Sequence, residues 1–248
     1  MKLYKYPGQE YWAQILERPS LPGKKLEKQV RKMLKKVRKN GDAALYKFTK
    51  KHDGVSIDQV LVNAQQISEA ENEISVELKD AINIAKKNIE TFHLSQVSSP
   101  ETVETMPGVV CWRKSVAIEE VGLYIPGGTA PLFSTILMLG VPASIAGCRE
   151  IILCTPPRKD GTVHPAILYA AQLVGITKIF KVGGVQAIAA MSYGTESVPK
   201  VSKIFGPGNQ YVTLAKQLVS QEGIAIDMPA GPSEVAVFAD DSANPAFV

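Results

Sequence analysis

Cysteine and histidine are scarce in this chain, and the way they are scattered narrows the chemistry. Cys111, Cys148 and Cys154 are odd in number and far apart, which argues against a disulfide framework. We read them as buried structural thiols, because free cysteine usually behaves as a small core hydrophobe. His52, His93 and His164 stand far from one another and from any Cys-x-x-Cys pair, so no segment has the spacing of metal ligands. Long apolar runs are also missing. Nothing approaches the roughly 20 uninterrupted apolar residues of a membrane span, and the polar start Met1–Pro7 has no apolar run of the secretory type. The expectation is a cytoplasmic protein without a membrane partner.

What is present is ordinary globular composition, 248 residues with 45% hydrophobic and 21% charged, enough for one large core or two modest ones. The net charge of +4 is mild, and most of the excess sits between Gly23 and Gly41. There Leu26, Val30, Met33, Leu34 and Val37 recur at helical spacing, with Gly41 placed to end the helix. No aromatic residues interleave with the lysines and arginines, so we read the charged side as a solvated face over a packed stripe. Nucleic-acid binding is not expected.

Up to about residue 100 the pattern is mostly helical. Asp42 is placed to cap a second helix carrying Leu45 and Phe48, which stops at His52-Asp-Gly54. A short strand, Gln59–Val62, leads to Asn63 and Gln66, spaced as a capping box. Ser75 opens a long helix with Leu78, Ile82, Ala85, Ile89 and Phe92 on one stripe. Residues 101–118 read as a hairpin hinge, since Thr102–Met106 and Val109–Trp112 flank Pro107-Gly108. From 119 to 248 short β-branched runs alternate with helices. The strands expected are Val121–Tyr124, Glu150–Cys154, Lys178–Val182, Lys203–Phe205, Ile224–Ile226 and Glu234–Phe238. The helices expected between the first five are Leu132–Cys148, bent or split at Pro142, then Pro165–Val174, Val185–Tyr193 and Gln210–Ser220. Strict βα alternation implies an α/β fold, a Rossmann-like parallel sheet with helices on both faces, because parallel neighbours require a crossover. Near the end, Asn244 and Pro245 have the form of a helix start.

Ligands of open parallel sheets bind beyond the carboxyl ends of the strands. Four glycine- or proline-bearing segments fall there: Tyr124–Gly128, Val182–Gln186, Phe205–Asn209 and Asp227–Glu234. Each brings a polar group. Tyr124 offers a ring and a hydroxyl, Gln186 follows two glycines at a helix start, Asn209 either caps a helix or meets a ligand oxygen, and Asp227 and Ser233 face polar substrate groups. Gly206-Pro-Gly208 begins like a dinucleotide fingerprint, but Tyr211 replaces its third glycine.

Taken together, Val121-Gly-Leu-Tyr-Ile-Pro-Gly-Gly128, Ala130-Pro-Leu-Phe-Ser134, Val182-Gly-Gly-Val-Gln-Ala-Ile188, Tyr193-Gly-Thr-Glu-Ser-Val-Pro199, Ile204-Phe-Gly-Pro-Gly-Asn209 and Ile226-Asp-Met-Pro-Ala-Gly-Pro-Ser-Glu234 closely resemble histidinol dehydrogenase. The likeness reaches upstream to Lys87–His93. It implies oxidation of L-histidinol to L-histidine through an aldehyde, with two NAD reduced and a zinc ion, in a homodimer of histidine biosynthesis. By the same resemblance Tyr124, Gln186 and Asn209 match NAD contacts and Ser233 a substrate contact. The family's zinc ligands and its catalytic glutamate–histidine pair lie further along than Val248. The resemblance therefore implies no catalytic and no metal residue in this chain, and the 248 residues alone are expected to be inactive. A non-catalytic binding or dimerisation module that keeps the fold is the alternative.

Overall fold

The computed structural model describes residues 3–17, 23–128, 130–229, 235–244 and 246. They divide into two units, residues 23–229 and residues 1–22 with 230–248.

The larger unit starts with α2 (Lys24–Phe48), which buries Leu26, Val30, Leu34 and Val37 along one stripe. Gly41 ends the first helical stretch as expected, and a second stretch joins it across a kink. It takes φ 48° and ψ −134°, a kink open to glycine, and the helix resumes to Phe48. Asp42 opens the second stretch, but its side chain does not cap it. Its N–H donates to Glu196 Oε2 at 2.7 Å, and its carboxylate accepts from Ser197. The amide freed by the kink is thus met by a residue 154 positions away, which local spacing cannot reveal. The chain then loosens into a π turn over Thr49–Asp53 and stops at Gly54, φ 74°. Two caps follow the expectation. Asn63 Oδ1 accepts from Gln66 N (2.7 Å) at the start of α3 (Ala64–Glu69), and Ser75 Oγ accepts from Leu78 N (3.3 Å) at the start of α4 (Val76–Leu94).

β1 (Thr102–Met106) and β2 (Val109–Trp112) form the antiparallel hairpin. After it come β3 (Glu120–Tyr124), α5 (Phe133–Ile145), β4 (Glu150–Thr155), α6 (Pro165–Leu173), β5 (Lys178–Lys181), α7 (Gly184–Tyr193), β6 (Lys203–Phe205), α8 (Gln210–Ser220) and β7 (Ala225–Ile226). The α5 helix runs unbroken through Pro142. β3 to β7 make a five-stranded sheet in the order β5-β4-β3-β6-β7, parallel at every pairing.

Alternation along the strands sorts the core. Leu123, Leu153 and Ile179 point to one face and join Ile136 and Val141 of α5, Ile167 of α6 and Ile82 of α4. Tyr124, Ile152, Cys154, Phe180 and Ile204 point to the other and join α2, α7 and α8. That is the period-2 pattern of strands covered on both sides. The expected strand near Gln59–Val62 also pairs. Val62 N donates to Ile179 O and Lys181 N to Val60 O, both at 2.8 Å, so this segment runs antiparallel along the edge of β5.

The thiols differ from one another. Cys154 is buried in β4, Cys148 is half-buried, and Cys111 is exposed, against the expectation, because neither face of the two-stranded hairpin is covered.

In the smaller unit a 3-10 turn, Gln9–Tyr11, leads into α1 (Trp12–Ile15), and Trp12 Nε1 donates to Pro7 O at 3.2 Å. The strand expected at Glu234–Phe238 is not formed over residues 235–238, and Val235 and Phe238 are 89% and 96% exposed. Alternating β-branched residues give only a propensity; a strand needs an edge to pair with. Asn244 Oδ1 accepts from Ala246 N at 3.0 Å, while Pro245 lies outside the described residues.

Leu153 is fully buried in a strand flanked on both sides, so Leu153→Ala is expected to lower stability by about 2–5 kcal/mol, the cost of a core cavity. Denaturant unfolding measures it.

Candidate functional site

The strand order sets the place of the site. From β3 the chain steps outward through β4 to β5, then crosses back to lay β6 on the free side of β3. Connections leaving β3 and β6 therefore diverge, with α5 on one face of the sheet and α8 on the other. A crevice at the carboxyl ends of these strands is the geometric consequence. A cleft of ≈ 1580 Å³ lies there, lined by the turns that follow β3, β4, β5 and β6. Tyr124, Gln186 and Asn209, singled out in the sequence, all line it.

Each occupies its position for a separable reason. Tyr124 ends β3, and its ring is part of the core at 4% exposure, so it is not a free stacking surface. Its hydroxyl oxygen accepts from Gly184 N at 3.0 Å, which leaves the phenolic proton available to donate. Burial pushes this phenol up to about 12, opposed in part by the Gly184 hydrogen bond. Gln186 lies in the first turn of α7 at 2% exposure. Its amide has no hydrogen-bond partner among the described residues, although it lines the cleft. Among the described residues only Thr49 Oγ1 and Asp53 Oδ2 are buried side-chain polar atoms without a partner, so the Gln186 amide is open to the cleft, where a ligand can meet it. Asn209 Oδ1 caps α8, accepting from Tyr211 N at 3.0 Å and Val212 N at 3.1 Å, so its NH₂ group is left for other partners.

Asp227 is engaged within the fold. One oxygen accepts from Gly206 N at 2.8 Å and the other pairs with Lys216. Ser233 lies outside the described residues.

Three features of the cleft escaped the sequence reading. The lysine face of α2 is not simply solvated: Lys32 and Lys36 line the cleft, because α2 packs along α7 and so borders it. Lys51, Arg158 and Lys159 add positive charge to the same lining. The last is Asp53, which had looked like part of a helix stop. It lines the cleft, its Oδ2 is buried without a partner among the described residues, and Lys159 Nζ donates to its backbone carbonyl at 2.8 Å. Burial raises the Asp53 carboxyl to about 6, moderated by the Lys159 charge. Nothing in the local sequence marks Asp53, since its setting depends on a loop over a hundred residues away. Among the described residues no group of three or more His, Cys, Asp or Glu is arranged to hold a metal ion.

The ensemble suits an elongated ligand that carries negative charge and hydrogen-bonding groups. The N-terminal ends of α7 and α8 border the cleft, with the N–H groups of Gly184, Tyr211 and Val212 met by Tyr124 and Asn209, and positive side chains add to its lining.

Tyr124→Phe leaves Gly184 N without its acceptor and is expected to cost about 1–3 kcal/mol in denaturant unfolding. For Asp53 the folded value lies above the unfolded one, so its favourable contribution is complete below about 4 and is lost as the pH rises through about 6. Asp53→Asn is accordingly expected to be more stable than the parent at pH 8 and equal to it near pH 4, and a difference independent of pH would contradict that assignment.

Comparison with known proteins agrees with this fold. The histidinol dehydrogenase family model matches residues 16–248. Histidinol dehydrogenases of Bacteroides thetaiotaomicron and Bacteroides fragilis are 65% and 62% identical over all 248 residues, which span 58% of the length of each. The crystal structure of histidinol dehydrogenase from Elizabethkingia anophelis superposes with a TM-score of 0.89 at 50% identity, covering 97% of this chain and 56% of that one. The chain belongs to the histidinol dehydrogenase family.

Proposed function

We propose that the cleft binds NAD, and that the chain contributes the cofactor site and part of the substrate site of an enzyme oxidising L-histidinol to L-histidine through histidinaldehyde. The observation that carries this reading is the meeting of Tyr124, Gln186 and Asn209 in one cleft at the point where the sheet order reverses. Held there, NAD would supply the hydride acceptor for the oxidation. This chain's own residues bind and orient. Gln186 donates to and accepts from the cofactor, Asn209 presents its amide while its oxygen holds α8, and Tyr124 keeps the Gly184 turn in place with a proton left to give. Ser233 serves the substrate.

The zinc implied by the family resemblance does not fit the residues described here, which assemble no metal-binding group. On this reading zinc and the acid–base steps fall to residues outside those described. Residues 1–100 act as a scaffold with dimer contacts, 101–118 as a hinge and 119–248 as the binding layer, in a cytoplasmic homodimer. No helix among the described residues is long and apolar enough to cross a membrane.

Calorimetric titration with NAD⁺ tests the assignment. The parent protein is expected to bind, and Gln186→Ala to weaken binding about tenfold, the effect of one lost hydrogen bond of roughly 1.4 kcal/mol. Asn209→Asp keeps the helix cap but loses the amide donor, and is expected to weaken binding to a similar degree; affinities equal to the parent's would remove both residues from the site. The purified 248-residue chain is expected to form no NADH from L-histidinol, and zinc-dependent NADH formation by it would contradict that expectation.

A further inference from the structure

The turn that carries Asn209 is held in an unusual way. Gly206 leaves β6 with φ 135°, and a Cβ there would collide with the backbone of Tyr124, so the turn lies directly against the end of β3. Both polar groups of this one residue are gripped by side chains. Gly206 N donates to Asp227 Oδ2 at 2.8 Å, and Gly206 O accepts from Lys216 Nζ, also at 2.8 Å. Lys216 and Asp227 are themselves an ion pair, one from α8 and the other from the residue after β7. Lys216 is only 6% exposed.

The Asp227 side chain keeps 28% exposure, and a part-buried ion pair is weak as a source of stability, because desolvation offsets much of the attraction. Its distinctive effect is directional. Here the carboxylate takes the N–H and the ammonium the C=O of the same glycine, which fixes that residue about its own axis and leaves it little freedom to rock. Three residues later Asn209 caps α8, so the orientation of Gly206 propagates directly into where the Asn209 amide points.

We propose that Lys216 and Asp227 are positioning residues, a clamp on Gly206 that holds the Asn209 side of the cleft in its cofactor-binding orientation. The cofactor part of this inference rests on the NAD reading above, whereas the clamp itself stands on the geometry of the turn. Neither residue lines the cleft; both act through the backbone of the turn.

Amide hydrogen exchange on the ligand-free protein separates the two. Lys216→Met and Asp227→Asn are expected to speed exchange at Gly206, Tyr211 and Val212 about tenfold or more, while Gly184 and Ala187 on the α7 side keep parental rates. Lys216→Arg, which keeps the charge, is expected to recover part of the protection. In NAD⁺ titrations each single variant is expected to raise Kd about tenfold, the scale of one misplaced hydrogen bond. The double variant Lys216→Met/Asp227→Leu removes both charges together and so avoids leaving one buried and unpaired; it is expected to raise Kd no further than either single change. Acceleration spread evenly over α7 and α8 would show a merely structural pair and overturn the proposal. So would a folded double variant with parental exchange at Gly206. A parent that fails to bind NAD⁺ would sink the cofactor reading, and the exchange pattern would still decide the clamp.

Discussion

Hydrogen bonding on both sides of β3 is the constraint from which the rest follows. Because β4 pairs with one edge of that strand and β6 with the other, and all run the same way, the chain must reverse its direction of winding between β5 and β6. Parallel pairing demands a crossover helix at each step, and the reversal sends those helices to opposite faces. The loops after β3 and β6 then part, and the space between them is the cleft. Glycine at position 206 is required where the backbone of one strand end passes against the other.

Within the cleft, side-chain polarity is largely spent on the protein's own backbone. The Tyr124 hydroxyl holds the start of α7, Asn209 the start of α8, and Asp227 and Lys216 the turn between β6 and α8. These contacts make the site rigid before any ligand arrives, which reduces the ordering cost of binding. Gln186 is the exception: its amide makes no hydrogen bond among the described residues and opens on the cleft. Lysines from α2 and the loop after β4 give the cleft its positive lining, so the helical region ahead of the sheet helps form the site as well as packing against the sheet.

Much of this was legible in the sequence because the signals are local. Runs such as Glu150–Cys154 and Lys178–Val182 mark buried strands, Asn63, Ser75 and Asn209 mark helix starts, and the glycine-bearing turns after β3, β5 and β6 fall where the parallel-sheet rule puts ligands. What could not be read depends on partners distant in the chain. Gly41 ends one helical stretch as it looked to, but the Glu196 carboxylate that meets the next amide lies far along the chain. Asp42 looked like a cap and instead pairs with Ser197. Residues 235–238 have the alternation of a strand and form none. Asp227 was read as facing a substrate, whereas its carboxylate is committed to Gly206 and Lys216. Asp53 acquires its shifted carboxyl only through burial in a cleft that the fold creates.

The most direct test of the account is a crystal structure of the protein with NAD⁺. The account predicts the cofactor lying along the carboxyl edge of the sheet between the ends of β3 and β6, with the Gln186 amide hydrogen-bonded to it. Cofactor bound at another surface, with the cleft filled by solvent and Gln186 still unpartnered, would contradict it.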